Sequence, residues 1–222
     1  MIERTIAVRT HGRYLIEPPA SPGPAPVLVG FHGYGESADA QLERMRRMPG
    51  ADRWRLVSIQ GLHRFYQRRT NDVVASWMTR QDRELAMDDN LAYVAAVLDE
   101  VERDFPGAPH LVIAGFSQGV ATAFRAAAAS SRRVDGVIAV GGDVPPELEA
   151  AAVSRVRHAM VGRGRLDEWY TQAMFERDVR RLREAHVDVQ LVEFDGGHQW
   201  SDEVVLAASV FLRERLLDTS NT

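Results

Sequence analysis

The stretch Gly115-Phe116-Ser117-Gln118-Gly119 decides the fold. It follows the short apolar run Leu111–Ala114, which is typical of a buried strand, and it leads into the small-residue helical pattern Gly119–Ala129. A sharp turn from strand to helix lifts a serine hydroxyl clear of the sheet edge, and the flanking glycines leave room for that turn. We therefore predict that Ser117 is a nucleophile. A plain strand–turn–helix junction is the alternative.

Short apolar runs alternate with longer helical patterns on both sides of this motif. The predicted strands are Val27–Phe31, Leu56–Ile59, Leu111–Ala114, Val137–Val140, His158–Val161 and Val189–Phe194. The predicted helices are 38–48, Leu91–Val101, Gly119–Ala129, Pro146–Ala152, Glu168–Ala185 and Asp202–Leu217. This alternation predicts an α/β fold, with a mostly parallel sheet, helices on both faces and ligands at the carboxyl edge of the strands.

The N-terminal segment carries two further apolar runs. Ile2–Val8 and Tyr14–Ile16, joined at His11-Gly12, predict an opening β-hairpin and therefore an antiparallel edge to the sheet. The 222 residues contain no internal repeat or mid-chain linker, so we predict a single domain over residues 1–222.

Composition excludes several kinds of chemistry. The chain has no cysteine, and all 27 basic residues are arginine, so disulfides, thiolate metal sites and cysteine or lysine nucleophiles are excluded. The net charge of −4 gives no global positive field for nucleic acid. No signal peptide is visible, and no apolar run approaches the roughly 18 residues that a membrane span needs. We expect a cytoplasmic protein, either a monomer or a homodimer, that binds no nucleic acid.

A serine nucleophile needs a base, and in this kind of fold the order along the chain is serine, acid, histidine. Three histidines follow Ser117: His158 begins a strand, His186 ends a helix, and His198 follows the last predicted strand. A loop at that position can bring an imidazole to the sheet edge. We predict that His198 is the base.

Two aspartates are candidates for the acid that orients this base. Asp167 follows the strand His158–Val161, and Asp143 follows the strand before it, so both are expected at the carboxyl edge. Asp195 is too close to His198 in sequence to reach around its ring. We favour Asp167 over Asp143, and either residue could instead lie in the first turn of a helix.

An oxyanion also needs preorganised N–H donors. The backbone N–H of Gln118 is one candidate. The other is the N–H of Tyr34, within the glycine-rich loop that follows Val27–Phe31. His32 in the same loop precedes the serine in the chain, so we interpret it as a structural residue that supports the loop.

The connection between Gly61 and about Met87 is long for a compact domain and mixes aromatic residues with arginines. We predict that it lies over the active-site edge and forms part of an acyl-binding wall. A self-packed surface loop, anchored by its aromatic residues, is the alternative. The candidate wall residues are Phe65, Trp77 and Trp200.

Taken together, these pieces resemble the α/β-hydrolase superfamily, and more narrowly its small carboxylesterase/lysophospholipase/acyl-protein-thioesterase family. The resemblance covers nearly the whole chain and is carried by His32-Gly33-Tyr34-Gly35, Gly115–Gly119, the Gly162–Asp167 loop and Gly197-His198. It implies an α/β-hydrolase fold without a separate cap domain, and hydrolysis of esters or thioesters without a metal or other cofactor.

Three features depart from the family pattern. After the acid the family commonly has a Val-Pro pair, where this chain has Glu168-Trp169-Tyr170. The family usually has aspartate where this chain has Glu36, and the strand before the acid strand usually ends without a carboxylate, where this chain has Asp143. These departures bear on substrate specificity.

The expected function is a serine hydrolase that cleaves small-molecule carboxylic esters through an acyl-enzyme on Ser117, with acyl thioesters as a second candidate substrate. A serine peptidase is one alternative, although the chain has no room for the extra domains that sort peptides. A non-catalytic binding protein on the same scaffold is the other alternative, and the complete Ser-His-Asp set argues against it.

Overall fold

The computed structural model describes residues 1–216. Nine strands occur in these residues: Tyr14–Glu17 (β1), Val27–Phe31 (β2), Arg55–Ile59 (β3), His63–Tyr66 (β4), Val73–Ser76 (β5), Leu111–Phe116 (β6), Gly136–Val140 (β7), His158–Gly164 (β8) and Asp188–Phe194 (β9). Six α-helices accompany them: Ala38–Arg46 (α1), Arg83–Asp104 (α2), Gln118–Ala129 (α3), Ala150–Val153 (α4), Gln172–Glu184 (α5) and Asp202–Leu216 (α6).

Seven of the strands form one sheet in the order β1-β3-β2-β6-β7-β8-β9. β1 pairs antiparallel with β3, and every other neighbouring pair in this sheet is parallel. β4 and β5 form a separate antiparallel pair. The carboxyl ends of the parallel strands therefore meet at one edge, as predicted for an α/β-hydrolase fold.

Two apolar clusters, one on each face of the sheet, hold the layers together. α2, α3, α4 and α5 contribute to one cluster, and α1 and α6 contribute to the other. Adjacent strand residues alternate between them, so that Val112 belongs to the cluster of α1 and α6 while Ile113 belongs to the other cluster. Each fully buried side chain of this size stabilises the fold by roughly 1.5–3 kcal/mol. Burial on both faces explains why the central strands are continuous apolar runs.

The N-terminal hairpin is a wrong prediction, although the antiparallel edge is correct. Residues 2–8 form no strand, and Ile2, Ile6 and Val8 are 82%, 87% and 79% exposed. β1 alone supplies the edge, through its pairing with β3. An apolar alternation forms a strand only where a neighbouring layer covers its apolar face, and no such layer covers this segment.

Several helix boundaries also differ from the predictions. α2 begins at Arg83 instead of near Leu91, and α4 covers Ala150–Val153 instead of Pro146–Ala152. α5 begins at Gln172 instead of Glu168, because Thr171 caps it by accepting the N–H of Met174. The predicted end of the last helix, Leu217, lies outside the described residues. No helix within residues 1–216 is long and apolar enough to cross a membrane.

Candidate active site

Ser117 lies at the sharp turn between β6 and α3. Its backbone has φ 52° and ψ −119°, a conformation that non-glycine residues rarely adopt and that is often found at functional sites. The neighbouring glycines make the turn possible. A Cβ on Gly115 would lie 2.6 Å from the carbonyl oxygen of Gly119, and a Cβ on Gly119 would lie 2.3 Å from the carbonyl oxygen of Phe31. The close packing of α3 against β6 and β2 thus presents the Ser117 hydroxyl at the sheet edge.

The three residues predicted as nucleophile, base and acid meet at this edge. Nε2 of His198 lies 2.8 Å from Oγ of Ser117, and Nδ1 of His198 lies 2.8 Å from Oδ2 of Asp167. The Asp167 side chain is 1% exposed, whereas the His198 side chain is 23% exposed. The imidazole therefore bridges a buried carboxylate and a hydroxyl at the surface, which is the arrangement that activates a serine.

Asp167 is held in one orientation by its own loop. Its Oδ1 accepts the backbone N–H groups of Trp169 and Tyr170, each at 2.9 Å, which leaves Oδ2 for His198. The two oxygens of Asp167 consequently have different and fixed partners.

Arg163 supports this loop through its buried guanidinium, a role that was not predicted from the sequence. Its guanidinium donates to the carbonyl oxygens of Tyr170 (3.0 Å) and Arg165 (3.2 Å) and pairs with Glu193 (3.2 Å), while the residue is 5% exposed. The sequence Gly162-Arg163-Gly164 could have indicated this role, because a charged side chain at the end of a buried strand needs hydrogen-bond or ion-pair partners within the fold.

Asp143, the alternative acid, lies just beyond β7 and does not hydrogen-bond to His198. The guanidinium of Arg177 is the charged group near it, with Nη2 of Arg177 3.9 Å from Oδ2 of Asp143. The structure therefore places Asp167, and not Asp143, against the imidazole.

The two predicted oxyanion donors follow neighbouring parallel strands: Tyr34 lies after β2, and Gln118 lies after β6. The N–H groups on either side of Tyr34 are engaged: Gly33 donates to Oε2 of Glu36 (2.7 Å), and Gly35 donates to the carbonyl oxygen of Ala75 (2.9 Å). Within residues 1–216, the Tyr34 N–H has no protein acceptor. Gln118 begins α3, where a backbone N–H lacks an intrahelical partner. Both donors are therefore available to an oxygen of a ligand.

Glu36, one of the three departures from the family pattern, holds the loop that carries Tyr34. Its carboxylate accepts the Gly33 N–H and forms an ion pair with Arg44, whose Nη1 lies 2.6 Å from Oε2. Burial alone would raise the pKa of Glu36, but the hydrogen bond and charge of Arg44, together with the Gly33 N–H, lower that pKa below its usual value. Glu36 is thus an ionised anchor of the loop.

His32 supports the same loop from the other side. Its Nε2 accepts the N–H of Gly61 (3.0 Å), so Nδ1 carries the proton and donates to the carbonyl oxygen of Gly33 (2.7 Å). Burial lowers the pKa of His32, which favours this neutral form. These contacts agree with the predicted structural role.

The Gln118 side chain connects the nucleophile turn to the 61–87 connection. Its Oε1 accepts the backbone N–H of Trp77 (2.9 Å) and the hydroxyl of Ser76 (3.2 Å), and its Nε2 donates to the carbonyl oxygen of Met78 (2.9 Å). The connection also contains β4 and β5, which the sequence analysis missed because His63–Tyr66 is exposed along its whole length and has no apolar alternation.

Comparison with known proteins assigns the chain to a family. A family profile described as Phospholipase/Carboxylesterase matches residues 11–216. The chain belongs to the phospholipase/carboxylesterase family. Members of this family are esterase-type hydrolases, as the motifs predicted. No curated protein matches the sequence closely enough to count as a relative.

Solved structures agree on the fold of this phospholipase/carboxylesterase-family chain. Esterase PE8 is 20% identical, with a TM-score of 0.73, and the match covers 93% of this chain and 100% of that chain. Acyl-protein thioesterase 2 from Zea mays is 18% identical, with the same coverages and a TM-score of 0.73. At these identities the likeness establishes the α/β-hydrolase fold.

The three candidate wall residues occupy different environments in this family member. Phe65 is 37% exposed, and its ring centroid lies 5.7 Å from that of Tyr34. Trp77 is 0% exposed, and its Nε1 donates to the carbonyl oxygen of His32 at 2.8 Å. Trp200 is buried against Phe116. A substrate can reach Phe65 but not Trp77 or Trp200 in this arrangement, so the structure favours the anchoring alternative for Trp77.

A shallow cavity of about 160 Å³ opens beside the nucleophile. Its lining residues are Ser117, Gln118, Gly141, Gly142, Asp143, Trp169, Tyr170, Met174 and His198. Within residues 1–216, no group of three or more His, Asp or Glu side chains is arranged to hold a metal ion.

Proposed function

We propose that this phospholipase/carboxylesterase-family chain is a serine hydrolase that cleaves carboxylic esters through an acyl-enzyme. The observation that carries the proposal is the continuous contact from Ser117 Oγ to His198 Nε2 and from His198 Nδ1 to Asp167 Oδ2, each 2.8 Å long. Family membership supports the ester class of substrate.

In the first half of the reaction, Ser117 Oγ attacks the acyl carbonyl carbon while His198 Nε2 takes the hydroxyl proton. Asp167 Oδ2 orients the imidazole and stabilises the imidazolium that forms. Collapse of the tetrahedral intermediate breaks the bond to the alcohol, which leaves with the proton from His198. The acyl group remains on Ser117.

Charge develops on the carbonyl oxygen during this attack. The N–H groups of Tyr34 and Gln118 supply the hydrogen bonds that stabilise it, and one such donor typically accounts for a factor of about 10²–10³ in turnover. Glu36 and His32 hold the loop that carries Tyr34, so they position this donor.

In the second half, water attacks the acyl-enzyme with His198 as base, and the acid product is released. The same residues would cleave a thioester, because only the leaving atom differs. Each proton transfer in the scheme is assigned to His198, and Ser117 is regenerated.

The proposal is tested by labelling and by substitution. A fluorophosphonate probe should label Ser117, located by peptide mass mapping, and Ser117→Ala should lose label and ester turnover, the latter by about a millionfold. Ser154→Ala, at an exposed position after α4, is the matched control and should behave as wild type. p-Nitrophenyl esters of increasing length, lysophospholipids and acyl thioesters then define the substrate class. Label on a different serine, or turnover that survives Ser117→Ala, contradicts the proposal.

A further inference from the structure

The cavity beside Ser117 contains a carboxylate that the proposed mechanism does not use. Asp143 follows β7 through Gly141 and Gly142, lines the cavity, and has a side chain that is 40% exposed. It accepts no proton in the scheme above and does not contact His198. An ionised side chain beside a reacting centre changes which substrates the site accepts.

The positive charge nearest to Asp143 is shared with a second carboxylate, Asp178. Arg177 donates from Nε to Oδ1 of Asp178 at 2.9 Å, and its Nη2 lies 2.8 Å from the same carboxylate, whereas Asp143 is 3.9 Å away. Asp178 is fully buried and also accepts the N–H of Val144. The side chains that line the cavity include no arginine. Asp143 therefore presents to the cavity a carboxylate whose only charged neighbour among residues 1–216 is an arginine 3.9 Å away that lies closer to Asp178.

Trp169 adds an aromatic ring to the same cavity. The residue is 79% exposed, although its backbone N–H is fixed on Oδ1 of Asp167 at 2.9 Å. A large apolar ring is held in water at this position by the loop that carries the triad acid. A carboxylate and an indole lining one cavity form the combination that binds ammonium and quaternary ammonium groups, because the ring face is also negative.

The position of the cavity indicates which part of the substrate it receives. A Cβ on Gly141 would lie 3.2 Å from Cε1 of His198, so the turn that carries Asp143 packs against the imidazole. The imidazole protonates the departing alcohol, and the alcohol therefore leaves on the imidazole side of the nucleophile. Phe65 does not line this cavity; its ring packs against that of Tyr34, in the loop after β2.

We propose that Asp143 and Trp169 form a subsite for a positively charged group, an amine or a quaternary ammonium, in the alcohol part of the ester. The inference rests on the proposed hydrolase function and extends it to the class of leaving group. Asp143 and Trp169 act here as specificity residues, since they bind the alcohol and do not touch the reacting atoms.

The test compares two esters that share a shape and differ in charge. Butyrylcholine carries a quaternary nitrogen, and 3,3-dimethylbutyl butyrate carries a carbon in its place. The wild-type protein should show a kcat/KM for the choline ester roughly five- to tenfold above that for the neutral ester. Asp143→Asn should remove most of this ratio, and Trp169→Leu should reduce it. Glu168→Gln is the matched control, because it removes the same charge from an exposed neighbour outside the cavity, and it should keep the ratio.

A binding measurement separates failure of the subsite from failure of the proposed function. Calorimetry of butyrylcholine on Ser117→Ala and on Ser117→Ala/Asp143→Asn requires no turnover, and the double variant should bind about five- to tenfold more weakly. Equal kcat/KM for the two esters in the wild type, or equal binding to the two variants, overturns the subsite and leaves the hydrolase intact. A preference for monoethyl succinate over both esters also overturns it, in favour of anion binding by Arg177. Tight choline binding without ester turnover or fluorophosphonate labelling supports the subsite and refutes the hydrolase.

Discussion

Replacement of Asp167 by asparagine tests whether this residue fixes the tautomer of His198. In the structure, Oδ1 accepts two backbone N–H groups, from Trp169 and Tyr170, and Oδ2 faces Nδ1 of His198. The asparagine oxygen must occupy the Oδ1 position, because an amide NH₂ group placed there would face the two backbone N–H donors without an acceptor. The NH₂ group must then face Nδ1, so the imidazole accepts at Nδ1 and carries its proton on Nε2.

An imidazole with its proton on Nε2 cannot accept the proton of Ser117. The expected loss in kcat is roughly 10⁴-fold, the size seen when a triad histidine is held in the wrong tautomer. The fold should persist, since the asparagine retains the volume of the aspartate and both backbone contacts. The assay is steady-state turnover of p-nitrophenyl butyrate, with circular dichroism and thermal unfolding on the same samples.

Asp143→Asn is the matched control at the end of the neighbouring strand. It removes the same charge from the same sheet edge but touches no hydrogen bond of His198, so it should cost far less turnover of this neutral ester than Asp167→Asn does. If Asp143→Asn is the more damaging change in samples that fold equally well, the assignment of Asp167 as the orienting acid is refuted.

Three further predictions concern the supports of the site. Trp77→Ala should lower the free energy of unfolding by about 3–5 kcal/mol in urea, because it removes a fully buried side chain. The loss of kcat/KM should be equal for acetate and long-chain esters, and a loss confined to long-chain esters would support the acyl-wall interpretation. Glu36→Gln should lower kcat roughly tenfold with little change in KM, because the oxyanion donor acts mainly in the transition state, and a pure KM effect would contradict this. Unfolded chains protonate His32 near pH 6.5 whereas the native pKa is lower, so the free energy of unfolding should fall as pH drops below about 6.5, and His32→Gln should flatten that dependence.

Most of the fold could be predicted from short-range sequence patterns. The strand before Ser117 and the helix after it follow from an apolar run, a glycine-flanked turn and small residues, and the structure has β6 and α3 at those positions. The parallel order follows from the alternation of strands and helices, since each crossover must return to the same edge. Because His198 and Asp167 each follow a strand of that sheet, their convergence on Ser117 could be predicted without coordinates.

Predictions from the sequence failed where the structure of a segment depends on contacts with residues far away in the chain. The alternation in residues 2–8 resembles a strand, but no layer covers those residues, and the segment has no regular structure. The aromatic residues of the 61–87 connection could equally line a groove or fill a core. Trp77 packs in the core against Phe31, with 5.3 Å between ring centroids, whereas Phe65 remains 37% exposed. Sequence periodicity carries no information about such tertiary partners.

The choice between Asp167 and Asp143 depends on backbone donors and not on side-chain identity. Both aspartates follow parallel strands at the same edge, yet one carboxylate receives two N–H groups from its own loop and the other receives none from residues 1–216. Arg163 supports the same loop, because it donates to the carbonyl oxygens of Tyr170 and Arg165 on either side of the two donors. The same loop exposes Trp169 beside Asp143. The loop that holds Asp167 therefore also lines the cavity beside Ser117. If the proposed function and subsite are correct, substitutions at Arg163 should alter turnover and leaving-group preference together.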